Sequence, residues 1–318
     1  MGCRAKPCPA DGVRYAMKIV ASVGVKDEVE LIEQLIDHLR RIGVDQIIVC
    51  DMHSTDGTAE ILERHRSTDF WVYTMGEEGL AEWGYRNLEW VNQAGADWVI
   101  FVDADEFPIP ASGSLRDCAA LDRVDALIIE RLNVPLRPDG PAIPDPLVPE
   151  RYEELLLIVD PERRPWSKMR DDPNASWMRA RVAPRVMARP ERIEALTLGT
   201  HDVVGKGTPP VRRIVPTDLV CAHLPFTTLE RFSRKVANIR ATFEAHDEAY
   251  GETYGHHWRH WLDLDARGLL EHEFRRMVFD GKTLGELRRR RVVGSAAELF
   301  ADPGLIGHAA LPANRSTR

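Results

Sequence analysis

The chain reads as an α/β protein, a Rossmann-like, mostly parallel sheet flanked by helices and followed by a C-terminal helical extension. Three observations predict it. Strand-length apolar runs alternate with helix-period segments through the first hundred residues, as strand–helix–strand units with right-handed crossovers require. Acidic groups recur just after those runs, where an open parallel sheet binds its ligands. Helical spacing returns from Thr227 and continues into a basic tail.

Lys18–Val25 has a buried-strand pattern through Ile19, Val20, Val23 and Val25. Asp27 opens the next helix, with Glu30 three residues on completing a capping-box-like start. Val29, Ile32, Leu35, Ile36 and Leu39 follow helical spacing, and Gly43 sits just past the end. Gln46–Cys50 is a second strand, Asp51–Gly57 a polar turn and Thr58–Arg66 a short helix. Phe70–Thr74 is a third strand, and Ala81–Gly95 a helix with Trp83, Leu88 and Val91 on one face. Trp98–Val102 is a fourth strand running into Asp103.

Beyond Phe107, Ala126–Ile129 reads as a strand and the proline-rich Pro135–Pro149 as loop, while Arg151–Pro190 shows no clear period. In the returning helix, Thr227 and Glu230 form a second capping box, and Phe232, Val236, Ile239 and Phe243 line one face. The expected division is a disordered leader over 1–16, a catalytic domain over 17–225 and a helical extension over 226–318 that closes over the site or oligomerises.

With 318 residues, 44% hydrophobic, the chain can fill one large core, or one core and a small appendage. A net charge of −8 leaves no broad basic surface for a nucleic-acid backbone, and Arg288–Arg291 reads as a solvated helix face. Cys3, Cys8, Cys50, Cys118 and Cys221 suggest neither a disulfide framework nor a zinc site, which suits a reducing compartment. Met1–Ala16 lacks the apolar stretch of a signal peptide, and no run approaches the roughly 18 apolar residues that span a bilayer. The expected location is cytoplasmic, with the basic tail a candidate contact for anionic lipid at the inner face of the membrane.

Chemistry-bearing residues follow the strands: Asp27 and Glu28 after the first, Asp51 after the second, and Asp103-Ala104-Asp105-Glu106 after the fourth. Carboxylates bind phosphate poorly by themselves, but well through a divalent cation such as Mg²⁺ or Mn²⁺. An Asp-x-Asp at a strand end places both carboxylates on one side of the backbone, because side chains alternate. His201 follows Gly199, and His223 follows the apolar run Leu219-Val220-Cys221-Ala222, so each is placed at a strand end. His256, His257 and His260 have helical spacing but no carboxylate or Cys to complete a zinc site. Trp166, Trp177, Trp258 and Trp261 read as core anchors before sugar platforms, and none is assigned to the site.

The run Val44-Asp45-Gln46-Ile47-Ile48-Val49-Cys50-Asp51-Met52-His53-Ser54-Thr55-Asp56-Gly57-Thr58 resembles a segment of family-two glycosyltransferases with the GT-A fold. Trp98 to Phe107 resembles the Asp-x-Asp-Glu-Phe segment of a subset of them. Leu198-Gly199-Thr200-His201 is similar to a later piece of that subset, as is His223-Leu224-Pro225 with Glu230-Arg231-Phe232 and Lys235. The likeness runs from about Met17 to about Asn238.

The resemblance implies a transfer, inverting at the anomeric carbon, from a nucleotide-sugar donor to a glycan, lipid-linked or small-molecule acceptor. It implies that Asp51 accepts from the nucleotide base, that Asp103 faces the ribose or the metal's outer shell, and that Asp105 ligates Mn²⁺ or Mg²⁺. His201 or His223 becomes a later metal or phosphate contact, and Arg86 and Asn87 approach the donor. Relatives carry Asn-Glu where this chain has Asp27-Glu28, which puts base recognition in doubt. Inversion needs a base for the acceptor hydroxyl. Glu106 is the first candidate, equally able to be a packing carboxylate, and Asp202 a weaker one. The rival readings are an inactive nucleotide-binding relative and a sugar-phosphate nucleotidyltransferase. For the latter, Ser22-Val23-Gly24-Val25-Lys26 holds a single glycine where a phosphate loop needs several.

Overall fold

A computed structural model describes residues 17–75, 80–163, 169, 172, 175–250 and 255–305. The leader, Trp166 and the side chain of Trp83 lie outside the described residues.

Strands β1 (Ile19–Val25), β2 (Gln46–Asp51), β3 (Phe70–Thr74) and β4 (Trp98–Asp103) pair in parallel, in the spatial order β3-β2-β1-β4. Their side chains alternate between two apolar layers. Ile19, Ala21, Val23, Ile47, Val49, Trp98, Ile100 and Val102 enter one, and Val20, Ile48, Cys50, Val99 and Phe101 the other. A strand buried on both faces must be apolar at nearly every position, as these are. Helices α1 (Ile32–Arg41) and α2 (Thr58–His65) cover the first layer, α1 through Ile32, Leu35, Ile36 and Leu39 at helical spacing. Helix α3 (Leu80–Gln93) covers the second with Leu88, Trp90 and Val91.

The helix α1 starts at Ile32, five residues later than the sequence predicts. Asp27 sits at φ 53° with its carboxylate turned away from the helix, accepting from Thr55 N at 2.6 Å and Asn238 Nδ2 at 2.8 Å.

After β4 the chain turns at Ala104-Asp105 into β5 (Glu106–Pro110) and, later, β6 (Ala126–Ile129) and β7 (Arg131–Asn133). The stretch expected to be loop carries a small hairpin, β8 (Leu136–Arg137) and β9 (Gly140–Pro141). Pro138-Asp139-Gly140 supplies its turn, with Gly140 at φ 97°. The stretch without a period holds β10 (Leu156–Ile158) and β11 (Arg185–Ala188). β11 enters the main sheet antiparallel between β4 and β6, with Met187 opposite Ile100 and Leu127. Beyond it come the hairpin β12 (Ile193–Leu196) and β13 (Val203–Gly205), then β14 (Arg213–Ile214), which completes the order β14-β6-β11-β4-β1-β2-β3. A second sheet forms when β15 (Leu219–His223) inserts between β5 and β7.

Helices α4 (Leu229–Tyr250), α5 (His256–Ala266), α6 (Leu270–Met277), α7 (Gly281–Arg289) and α8 (Ala296–Ala301) form the C-terminal part. Thr228, one residue after the predicted cap, bonds Arg231 N at 3.1 Å, and Thr227 Oγ1 is buried without a partner among the described residues. Phe232 and Val236 of α4 pack with Trp177, Phe226, Trp261 and Met277 in a third apolar cluster. Trp177 and Trp261 meet edge to face at 5.9 Å, so both are core anchors. Strand β16 (Val293–Ser295) pairs with β10, and Ala296 and Leu299 of α8 enter the first apolar layer. Arg288, Arg289, Arg290 and Arg291 are exposed. Among the described residues no helix is long and apolar enough to cross a membrane.

Candidate functional site

Strand register brings the expected acids to one edge. β1 pairs Val25 with Asp51 of β2 and Gly24 with Asp103 of β4, so the carboxyl ends of three strands lie side by side. Asp51 is buried and accepts from Ser54 N at 3.0 Å. Asp27 holds the polar turn after β2 through Thr55. Behind β1, Asn87 of α3 is buried with its Oδ1 2.5 Å from Ser22 Oγ, and Arg86 is half-buried.

The second sheet adds the rest. Its register sets His223 opposite both Glu106 and Asn133. Asn133 donates from Nδ2 to Met178 O at 2.9 Å, so its Oδ1 accepts from His223 Nδ1 at 2.7 Å. The imidazole therefore keeps its lone pair on Nε2, which lies 3.8 Å from Asp105 Oδ2. Burial, aided by Arg131, pushes the His223 pKa down to about 3, so the ring is neutral at physiological pH.

The carboxylates are threaded with cations. Glu106 is 0% exposed; Arg131 donates to Oε1, while Arg185 and, at 2.9 Å, the Asp103 backbone N–H donate to Oε2. Burial works to raise its pKa, but the two guanidinium groups override that and hold it at about 2. Of the two roles the sequence left open for Glu106, base and packing carboxylate, these contacts describe the second, an anchor for two arginines. Asp202, the weaker candidate, accepts from Arg213 Nε at 2.9 Å and from Val203 N at 2.7 Å.

Arg185 also pairs with Asp103 and donates to Gly199 O at 2.5 Å and Thr200 Oγ1 at 2.7 Å. Gly199 and Thr200 both have positive φ, so the loop before His201 curls around the guanidinium. The His201 ring donates from Nδ1 to Pro184 O at 3.0 Å, and burial, with Arg185 beside it, lowers its pKa to about 4. Asp105 meets Lys235 Nζ at 2.6 Å and Arg231 Nη2 at 3.1 Å, both on Oδ2. Burial disfavours its ionisation, yet Lys235 foremost holds its carboxyl well below the usual range. Glu28 receives the Arg231 fork at 2.6 and 3.0 Å, so its carboxylate ties α4 to the loop after β1.

Among the described residues, one group of ligand atoms suits a cation: Asp105, Glu106 and His223, all within 4.8 Å of one another. Asp103, with 51% of its side chain exposed, and His201 lie outside that group. A neutral imidazole oriented by Asn133, beside carboxylates, is a donor set that fits Mn²⁺ or Mg²⁺.

Sequence reasoning missed Arg131, Asn133 and Arg185, and gave Arg231 and Lys235 no role. Arg185 carried one signal, an arginine opening the apolar run Val186-Met187-Ala188.

The family model described as Glycosyl transferase family 2 matches residues 23–116, from within β1 to just past β5. The stretch carrying Asp27, Asp51, Asp103 and Asp105 lies inside that match. Solved structures resemble the chain more loosely. TarS of S. aureus in complex with UDP is 26% identical over 40% of this chain and 38% of that one, with a TM-score of 0.31. Another TarS structure is 18% identical over 71% of this chain and 65% of that one, with a TM-score of 0.39. The mannosyltransferase PcManGT of Pyrobaculum calidifontis, in complex with GDP-Man and Mn²⁺, is 17% identical over 79% and 76%, with a TM-score of 0.36. The chain thus spans little more than a third of the TarS chain bound to UDP. No curated protein matches it. The family-two segment accounts for the first four strands and the acidic turn, while His223, Arg231 and Lys235 fall outside it.

Proposed function

We propose that the chain transfers a sugar from a nucleotide-sugar donor to an acceptor hydroxyl, with inversion and with a divalent cation at the acidic turn. The observation that carries this reading is the convergence of Asp105 and the Nε2 lone pair of His223 at the carboxyl end of β4, beside a family-two segment. Asp105 and His223, with Glu106 next to them, would hold Mn²⁺ or Mg²⁺. The ion supplies Lewis-acid neutralisation of the leaving diphosphate.

The chain's own residues do the rest. Asp27 and Asp51 line the β1 and β2 ends, where nucleotide recognition belongs in an open α/β sheet. Asp103, half exposed, is the most accessible acid of the turn and the candidate for the ribose. Arg185 and Arg131 fix Glu106 and thereby the backbone of the turn, because Glu106 accepts from Asp103 N. In this reading residues 17–225 supply the catalytic domain, and 226–318 an extension whose first helix roofs the site through Arg231 and Lys235. A cytoplasmic location belongs to the same proposal.

A panel of nucleoside diphosphates and nucleotide-sugars, with and without Mn²⁺, tests the reading by thermal shift on wild type and Asp105→Asn. A ligand at about 100 times its dissociation constant stabilises the native state by roughly 2.7 kcal/mol. A Mn²⁺-dependent shift for one base, abolished in Asp105→Asn, is the expected result. No shift with any nucleotide and metal overturns it. Binding without turnover of any sugar nucleotide would instead identify an inactive relative.

A further inference from the structure

Two acids and two bases meet where α4 crosses the strand ends. Glu28 and Asp105 face Arg231 and Lys235, so the four formal charges cancel. The two cations differ in freedom. Arg231 is 0% exposed and committed through Nε and both terminal nitrogens, to Glu28, Asp105, Leu224 O at 3.1 Å and Pro225 O at 3.2 Å. A planar fork held on four partners cannot leave without exposing each of them. Lys235 is 21% exposed, and its point-charge ammonium on a flexible stem touches Asp105 Oδ2 at 2.6 Å and Glu28 Oε1 at 3.3 Å.

A divalent cation joining Asp105 would arrive beside an ammonium already seated on the same carboxylate. Like charges that close in a site shielded from water repel strongly. A diphosphate reverses the balance, because it brings negative charge for both cations. We propose that Lys235 is a built-in counter-cation, which neutralises Asp105 while the donor site is vacant and passes to the diphosphate when metal and nucleotide bind together. The inference rests on the donor-site reading given above. It assigns the protein a binding order: metal alone is disfavoured, and metal with nucleoside diphosphate is favoured, because one side chain couples the two events.

The test uses the full chain, Mn²⁺ alone followed by electron paramagnetic resonance, and UDP and GDP followed by calorimetry, with uridine and guanosine as phosphate-free controls. Wild type is compared with Lys235→Met and Lys235→Gln, two neutral replacements, each used only if it melts cooperatively, and with the charge-retaining Lys235→Arg. In the neutral variants Mn²⁺ alone should bind about tenfold tighter, and the nucleoside diphosphate with Mn²⁺ about tenfold weaker. Nucleoside binding should not change, and Lys235→Arg should stay close to wild type. The opposite signs of the two effects separate this role from general damage to the site. If wild type binds UDP or GDP with Mn²⁺ but both affinities stay within twofold in the neutral variants, the counter-cation role is wrong and the donor site stands. If wild type binds neither, the donor-site reading falls and this inference with it.

Discussion

Arg185 and Glu106 form an ion pair with 2% and 0% of their side chains exposed, between a strand of the main sheet and a strand of the second. Two charges so enclosed stabilise only as a complete set, since each alone carries the full cost of leaving water. The pair therefore ties two sheets together and holds the acidic turn between them.

Replacing that arginine should be expensive. Arg185→Met leaves Glu106 with Arg131 as its one charged partner beside the Asp103 backbone N–H, and strips Asp103, Gly199 and Thr200 of a donor. Equilibrium urea denaturation should show a loss of about 3–5 kcal/mol. Arg185→Lys, lacking the fork, should lose less but still more than about 1 kcal/mol. A loss below that for Arg185→Met would show that the charges are solvated in solution.

The His223–Asn133 hydrogen bond fixes which ring nitrogen can bind a metal. Asn133→Leu should weaken Mn²⁺ binding by about 10–100-fold, the usual effect of removing the group that orients a histidine ligand. Titration with Mn²⁺ under paramagnetic resonance reads this directly. Unchanged affinity would remove His223 from the ligand set.

Glu28 and Arg231 join the loop after β1 to α4, 203 residues apart in sequence. A double-mutant cycle with Glu28→Gln and Arg231→Gln should give a coupling of roughly 1–3 kcal/mol by thermal or chemical unfolding. Additive effects would mean that this ion pair contributes nothing to holding the two sides of the site together.

Gly199 has φ 73°, and a Cβ built on it would lie 2.6 Å from His201 Nε2. Gly199→Ala should cost about 1–3 kcal/mol, through backbone strain and the displaced ring. Its Mn²⁺-dependent nucleotide shift should shrink as Arg185 loses its cradle. A variant that melts like wild type would show that the loop has room to relax.

Acid sensitivity follows from the buried histidines. His38 is 1% exposed, donates from Nε2 to Pro108 O at 2.6 Å, and has its pKa lowered by burial from 6.5 to about 4. The unfolded chain binds this proton more readily than the folded one between those values, so stability is full above pH 6.5 and falls as pH drops towards 4. At pH 5 the loss from His38 is about 2 kcal/mol relative to pH 7.5. His38→Gln should be less acid-sensitive than wild type by that amount in denaturation at the two pH values. Equal sensitivity would place His38 in contact with water.

The sequence alone determined the layered α/β half. Strands buried on both faces announce themselves as apolar runs, and helices over them as 3.6-residue spacing, so β1 to β4 and α1 to α3 were legible within a few residues. It also placed Asp27, Asp51, Asp103 and Asp105 at the strand ends, since that edge follows from the chain direction of parallel strands. Tertiary structure decided what those acids touch. β11 is four residues long and too short for a period to show, yet it inserts beside β4 and delivers Arg185 to Asp103 and Glu106. β15 delivers His223 to Asp105 from 118 residues away, and α4 delivers Lys235 from 130. No local pattern encodes such meetings. They come from packing sheets and helices around shared apolar layers, and that packing encloses Glu106 between two arginines.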